Sequence, residues 1–112
     1  IQRTVDILAR FQGPVFILPG NHDPLVPGAV WEHPAWRSAS NLFVLGAAQP
    51  VEIPGGFLYP CPVIEKYSRK DPTAWIQAVG ETQIHVGMAH GNMEGLPGGD
   101  PDLPILDAAS NE

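Results

Sequence analysis

Residues 1–18 constrain the fold more than any other part of the chain. Apolar residues recur at helical spacing over residues 1–11, and Gly13 and Pro14 then end the predicted amphipathic helix. Residues 15–18 follow as an unbroken apolar run with a β-branched bias, flanked by prolines, which is typical of a strand buried on both faces. A helix that leads into a buried strand predicts an α/β arrangement.

Proline and glycine divide the next part of the chain into short runs. Residues 24–40 contain three prolines and predict a long loop, with at most a helical turn near residues 29–36. The β-prone runs 42–45, 51–53 and 57–59 are separated by proline and glycine, and they predict meandering strands with a hairpin.

The last third of the chain is less regular. Asp71 predicts the N-cap of a short helix over residues 72–79, which Gly80 ends. Residues 92–104 are rich in glycine and proline and predict a flexible loop, after which residues 105–112 predict the start of another helix.

The composition predicts a globular chain with a core, since 44% of the residues are hydrophobic and 16% are charged. A net charge of −6 argues against a strongly basic nucleic-acid surface, while the excess of carboxylates suits a cation site. Cys61 is the single cysteine, so an internal disulfide and a cysteine-rich zinc site are excluded, and a reduced, cytoplasmic setting is expected. No apolar run approaches the roughly 20 residues of a membrane span, so no membrane is expected as a partner.

Residues 19–24 carry the sharpest local signal, Pro-Gly-Asn-His-Asp-Pro, directly after the first predicted strand. Gly20 lets the chain turn sharply, Asn21 offers a side-chain oxygen to a hard cation, and His22 can transfer a proton near neutral pH. Asp23 is placed to orient that imidazole. Asn and Asp also favour plain polar turns, because their side chains bond to nearby backbone, so a structural turn is the competing interpretation.

A second predicted strand also ends in a histidine. Residues 84–89 form an apolar run that delivers His90 and Gly91 at its C-terminal end, where α/β folds place chemistry. A lone histidine there is more often structural, but the pair of motifs is far more informative. Together they resemble the calcineurin-like metallophosphoesterase family, in which a G-N-H-D or G-N-H-E motif and a later H-G motif follow successive strands. The fold that this resemblance implies is α/β (α+β), part of a β-sandwich flanked by helices.

The resemblance implies roles for four side chains. Asn21 and His90 match the family's ligands to one metal. His22 matches the catalytic histidine, which binds the phosphate of the substrate and protonates the leaving oxygen, and Asp23 would hold His22 in position. The implied cofactors are two divalent metal ions, manganese in the first place, with iron or zinc as alternatives.

The family's other motifs are not found at the positions where they should lie. The D-x-H and G-D motifs, which carry the aspartate that bridges both metals, should precede Asn21, and the G-H-x-H motif should follow His90. Residues 1–112 are therefore interpreted as a partial metallophosphoesterase domain, cut at both ends. Two neutral ligands without a bridging carboxylate predict that this chain by itself is inactive and binds at most one metal weakly.

Three functions remain open at this point. Residues 13–23 and the loop after them resemble SbcD-type DNA-repair exonucleases, which implies DNA as the substrate and an SbcC-like ATPase as a partner. A phosphodiesterase or phosphatase that acts on nucleotides or small esters is the alternative within the same fold, and a non-catalytic protein-interaction module is the alternative from another class. Packing or surface roles are predicted for the remaining tryptophans and histidines, namely Trp31, Trp36, Trp75, His33 and His85.

Overall fold

The computed structural model describes residues 1–64, 70–77, 80, 82–93 and 105–106, of which 92–93 and 105–106 are described by their backbone. Helix α1 spans Gln2–Ala9, and two 3₁₀ helices span Val30–Glu32 and Pro34–Arg37. The strands are β1 Val15–Ile17, β2 Leu42–Val44, β3 Val51–Ile53, β4 Gly56–Cys61, β5 Ile84–Ala89, β6 Asn92–Met93 and β7 Ile105–Leu106. The described residues thus form a small mixed α/β fold, and the predicted first helix and first strand are confirmed.

Helix α1 packs on the sheet formed by β1 and β2. These strands are parallel and place Val15 opposite Leu42, so alternate side chains of both strands share one apolar face. Val5 of α1 is buried against this face. On the other face Phe16 stacks on Phe43, with ring centroids 5.4 Å apart, and Phe43 stays exposed. Strand β1 is therefore half-buried, and the prediction of burial on both faces is wrong.

The loop predicted between β1 and β2 is confirmed, and its 3₁₀ helices complete the core. Ala35 and Trp36 are buried beside Leu42. The ring of Trp31 packs at a tilt against that of Trp36 with ring centroids 5.1 Å apart, so the predicted packing role of both tryptophans is confirmed. The prediction that β2 meanders with the next strands is wrong, because this loop returns the chain to β1 and β2 buries its apolar face there.

Strands β3, β4 and β5 form a second sheet in that order. The predicted hairpin joins β3 to β4 through Pro54 and Gly55, and Gly55 has a φ of 81°, as a turn with proline before glycine requires. Strand β5 runs parallel to β4. At the start of this ladder, a Cβ on Gly56 would overlap the carbonyl oxygen of Ile84, so the two backbones meet where only glycine fits.

Three predictions for the last third of the chain are corrected. Asp71 does cap its neighbours, since its carboxylate accepts hydrogen bonds from Thr73 N at 2.8 Å and Thr73 Oγ1 at 2.6 Å. Residues 72–75 nevertheless form a turn without a helix, because so short a segment gains too few hydrogen bonds to repay nucleation. Strands β6 and β7 pair in parallel where a loop and a helix were predicted. The rest of these predictions, at residues 78–79, 94–104 and 107–112, lies outside the described residues.

In the part of the chain that the structure describes, no helix has the length and apolar character needed to cross a bilayer.

Candidate functional site

The chain segments that follow β1, β4 and β5 meet at one place in the fold. The Val63 amide, after β4, donates to the Pro19 carbonyl at 3.1 Å, and the Leu25 amide donates to the Val63 carbonyl at 2.7 Å. Because β5 lies parallel to β4 and Ala89 pairs with Cys61, the residues after β5 emerge on the same side. The Gly-Asn-His-Asp segment and His90 are thereby brought to neighbouring strand ends, as sequence reasoning expects for such a fold.

The two predicted metal ligands are in direct contact. His90 Nε2 lies 2.8 Å from Asn21 Oδ1, although the residues are 69 positions apart in the chain. An amide oxygen can only accept, so His90 carries its proton on Nε2 and donates it to Asn21. Asn21 is 6% exposed, and this hydrogen bond satisfies the oxygen of a buried polar side chain.

Gly20 makes this contact possible. A Cβ added there would lie 3.3 Å from Cδ2 of His90 and 3.4 Å from its Cγ and Nε2, closer than ordinary van der Waals separation. Gly20 does not have a positive φ, so the backbone at this position does not require a glycine. The glycine is needed because a side chain there would crowd the His90 ring. The sequence predicted that Gly20 matters but not that it lies against the His90 ring, because no local pattern shows which distant side chain packs on a Cα.

His22 and Asp23 lie beside this pair and are both exposed. Within the described part of the chain, the structure places no hydrogen bond between the Asp23 carboxylate and the His22 imidazole. The contact that Asp23 does make is through its main chain, whose carbonyl accepts a hydrogen bond from Trp31 Nε1 at 2.6 Å. Orientation of His22 by the Asp23 carboxylate stays a prediction.

The donors present fit part of a site for one metal ion. An imidazole nitrogen and an amide oxygen are both donor types that can bind one divalent ion, and here they lie 2.8 Å apart, the distance of an ordinary hydrogen bond. An ion would replace the proton on His90 Nε2 and bind its lone pair together with the Asn21 oxygen. No group of three or more His, Cys, Asp or Glu side chains that could hold a metal is found in the described ranges.

The other two histidines stand apart from this pair. His85 Nε2 donates to the Gly80 carbonyl at 2.7 Å, so its Nδ1 accepts from the Tyr59 hydroxyl at 2.8 Å, which confirms a structural role. His33 Nδ1 accepts from the Ala35 amide at the start of the second 3₁₀ helix, and His33 is exposed as predicted.

Cys61 is a buried thiol at the end of β4. Burial raises the pKa of Cys61, and the nearby Asp71 carboxylate raises it further. The Trp75 indole, which faces the thiol outside regular hydrogen-bond geometry, opposes this rise in pKa. Burial and the raised pKa both disfavour the thiolate form of Cys61, which is the nucleophilic form.

Comparisons with other proteins leave the site to be judged on its own geometry. No family model, curated protein or solved structure matches this chain.

Proposed function

We propose that this chain carries part of the active site of a metal-dependent phosphoesterase that resembles the calcineurin-like family. The observation that carries the proposal is the 2.8 Å contact between Asn21 Oδ1 and His90 Nε2. Two side chains that ligate one ion must approach each other in this way, and Asn21 and His90 are the pair that the resemblance assigns to one metal. In the complete domain, the two larger sheets would belong to a β-sandwich flanked by helices.

Each residue has its own task in the proposed reaction. An ion held by Asn21 and His90 would polarise a phosphate oxygen and lower the pKa of a bound water. Protonated His22 would bind the phosphate and donate its proton to the departing oxygen, a contribution worth roughly 10² to 10⁴-fold. The exposure of His22 leaves it accessible to a phosphodiester.

The ligand set of this chain is incomplete for the proposed pair of manganese ions. The aspartate that would bridge them is proposed to come from D-x-H and G-D segments, which residues 1–20 do not contain. Calorimetric titration of the 112-residue chain with Mn²⁺ is therefore expected to show at most one weakly bound ion. Tight binding of two ions would overturn this account of the site.

The proposed substrate is DNA, and the proposed reaction is hydrolysis of its phosphodiester bonds. The test compares the full-length protein with its His22→Ala variant on linear duplex DNA and on bis(p-nitrophenyl) phosphate, both with Mn²⁺. Turnover on DNA should fall by roughly 10² to 10⁴-fold while bound Mn²⁺ stays nearly constant, because His22 is not a ligand. His90→Ala should lose bound metal and activity together.

The matched control is His33→Asn, which changes an exposed histidine of the adjoining loop and keeps a side-chain acceptor for the Ala35 amide. Its turnover should equal that of the wild type. Equal loss of metal and activity in His22→Ala would contradict the role given to His22. Hydrolysis of the small ester without hydrolysis of DNA would favour a small phosphate ester as the substrate in place of DNA. The absence of any metal-dependent hydrolysis would favour a non-catalytic module.

A further inference from the structure

The position of His22 is held by its neighbours in the chain. The imidazole is exposed, and among the described residues it makes no side-chain hydrogen bond. Before it, the buried Asn21 side chain is bonded to His90. After it, the Asp23 carbonyl is bonded to the indole of Trp31. The place where His22 presents its imidazole therefore depends on two anchors, one on each side.

Trp31 can serve as an anchor because it is itself held by the core. Its ring packs on Trp36 at a centroid distance of 5.1 Å and an interplanar angle of 39°. Trp36 is 8% exposed, and its own indole donates to the Val30 carbonyl at 3.0 Å. A chain of contacts thus runs from the hydrophobic core through two indole rings to the main chain at Asp23.

The next attachment of this segment lies further from His22. Pro24 is buried, and the Leu25 amide donates to the Val63 carbonyl at 2.7 Å. That bond fixes the course of the loop two residues beyond Asp23. The indole of Trp31 acts closer to His22, because it binds the carbonyl of Asp23, the residue next to His22 in the chain.

We propose that Trp31 is a positioning residue for His22: its indole N–H holds the Asp23 carbonyl and so sets where the proposed proton donor meets the leaving oxygen. This inference rests on the proposed function, because it assigns Trp31 to the general-acid step of the same site. Trp31 does not touch the substrate in this role. Misplacement of a catalytic group by about 1 Å lowers turnover by roughly a hundredfold, so loss of one of two anchors should cost on the order of tenfold.

Two substrates with different leaving groups distinguish a loss of proton donation from a general loss of active-site structure. In DNA the departing alkoxide needs a proton, whereas p-nitrophenolate leaves readily without one. In the full-length protein with Mn²⁺, Trp31→Phe should lower kcat on linear DNA about tenfold and on bis(p-nitrophenyl) phosphate less than about twofold. Bound Mn²⁺ should be unchanged. An equal loss on both substrates would overturn the inference.

A double-mutant cycle gives the second criterion. If Trp31 acts through His22, then Trp31→Phe should cause no further loss of kcat on DNA in a His22→Ala background. Additive losses would overturn the inference and leave the proposed function intact. Full activity of His22→Ala would overturn the role given to His22, and the role of Trp31 with it, whereas the absence of any metal-dependent hydrolysis would overturn the proposed function.

Two further variants guard against a folding artefact. Incorporation of 3-benzothienylalanine at position 31 keeps the stacked ring system and replaces only the N–H, so it should reproduce the Trp31→Phe result even if that variant folds poorly. Trp75→Phe removes the indole N–H of a tryptophan that takes no part in the bond to the Asp23 carbonyl, and kcat on DNA should stay unchanged. A benzothienyl variant with full kcat on DNA would overturn the inference.

Discussion

Replacing Gly20 by alanine tests the contact on which the site depends. The added Cβ would lie 3.3 Å from His90 Cδ2 and 3.4 Å from Cγ and Nε2, whereas carbon atoms in ordinary contact lie about 3.5–4.0 Å apart. The ring must therefore retreat by roughly 0.2–0.5 Å. The hydrogen bond to Asn21, now 2.8 Å, would be stretched toward the limit of useful geometry.

Two opposing energies determine how Gly20→Ala changes the free energy of unfolding. A hydrogen bond of this kind contributes about 0.5–1.5 kcal/mol, and its stretching should remove about 0.5–1 kcal/mol. Replacing glycine by alanine where φ is not positive stabilises the folded state by about 0.4–1 kcal/mol through the unfolded chain. The two effects nearly cancel, so the free energy of unfolding should change by less than about 0.5 kcal/mol. The preference of neutral His90 for the Nε2 proton should fall about two- to fivefold.

Proton position in the histidine rings can be read from long-range ¹H–¹⁵N correlation spectra of the chain at mildly alkaline pH, beside a urea denaturation curve. The matched control is Gly87→Ala, whose Cβ would meet only Ile76 Cδ1 at an ordinary 3.8 Å. That variant should leave His90 unchanged. An unchanged His90 in Gly20→Ala, or an equal change in Gly87→Ala, would refute the reasoning.

Two further predictions concern the second sheet and the buried thiol. Gly56→Ala would force a Cβ into the Ile84 carbonyl, and the backbone there cannot move without separating β4 from β5. The free energy of unfolding measured in urea should therefore fall by about 3 kcal/mol or more. An unchanged urea midpoint would contradict the close approach of the two strands. Burial raises the pKa of Cys61, so the folded state keeps the thiol proton at a pH where the unfolded chain loses it. The free energy of unfolding should therefore fall as pH rises above about 9, because the unfolded chain then gives up the thiol proton more readily than the folded one. Urea denaturation at a series of pH values measures this fall, which should be smaller in Cys61→Ala. An equal dependence on pH in the two proteins would argue against a raised pKa of Cys61.

Local patterns predicted most elements of the described chain, because the forces that start and end them act within a few residues. The turn at Pro54 and Gly55 was predictable, since proline and glycine favour the dihedral angles that it needs. The Asp71 cap was predictable for the same reason, but a cap alone does not make a helix, and residues 72–75 form only a turn. A cap contributes about 1 kcal/mol, too little to hold a helix of a few residues.

Pairing of strands was the weakest part of the sequence-based prediction. Leu42 and its neighbours form a β-prone run whether they pair forward with β3 or backward with β1. The choice depends on burial of the shared apolar face under α1 and Trp36, which involves residues far apart in the chain. The same holds for β6 and β7, whose short runs carry no signal of their parallel partner.

By itself the sequence determined the residue types of the candidate site and their position at strand ends, because glycine, proline and apolar runs act locally. Only the tertiary structure decided that Asn21 reaches His90, that Gly20 lies against the His90 ring, and that Trp31 holds the Asp23 carbonyl. These contacts exist because three strand ends meet at one edge of the fold, and no local pattern in the sequence encodes which ends will meet.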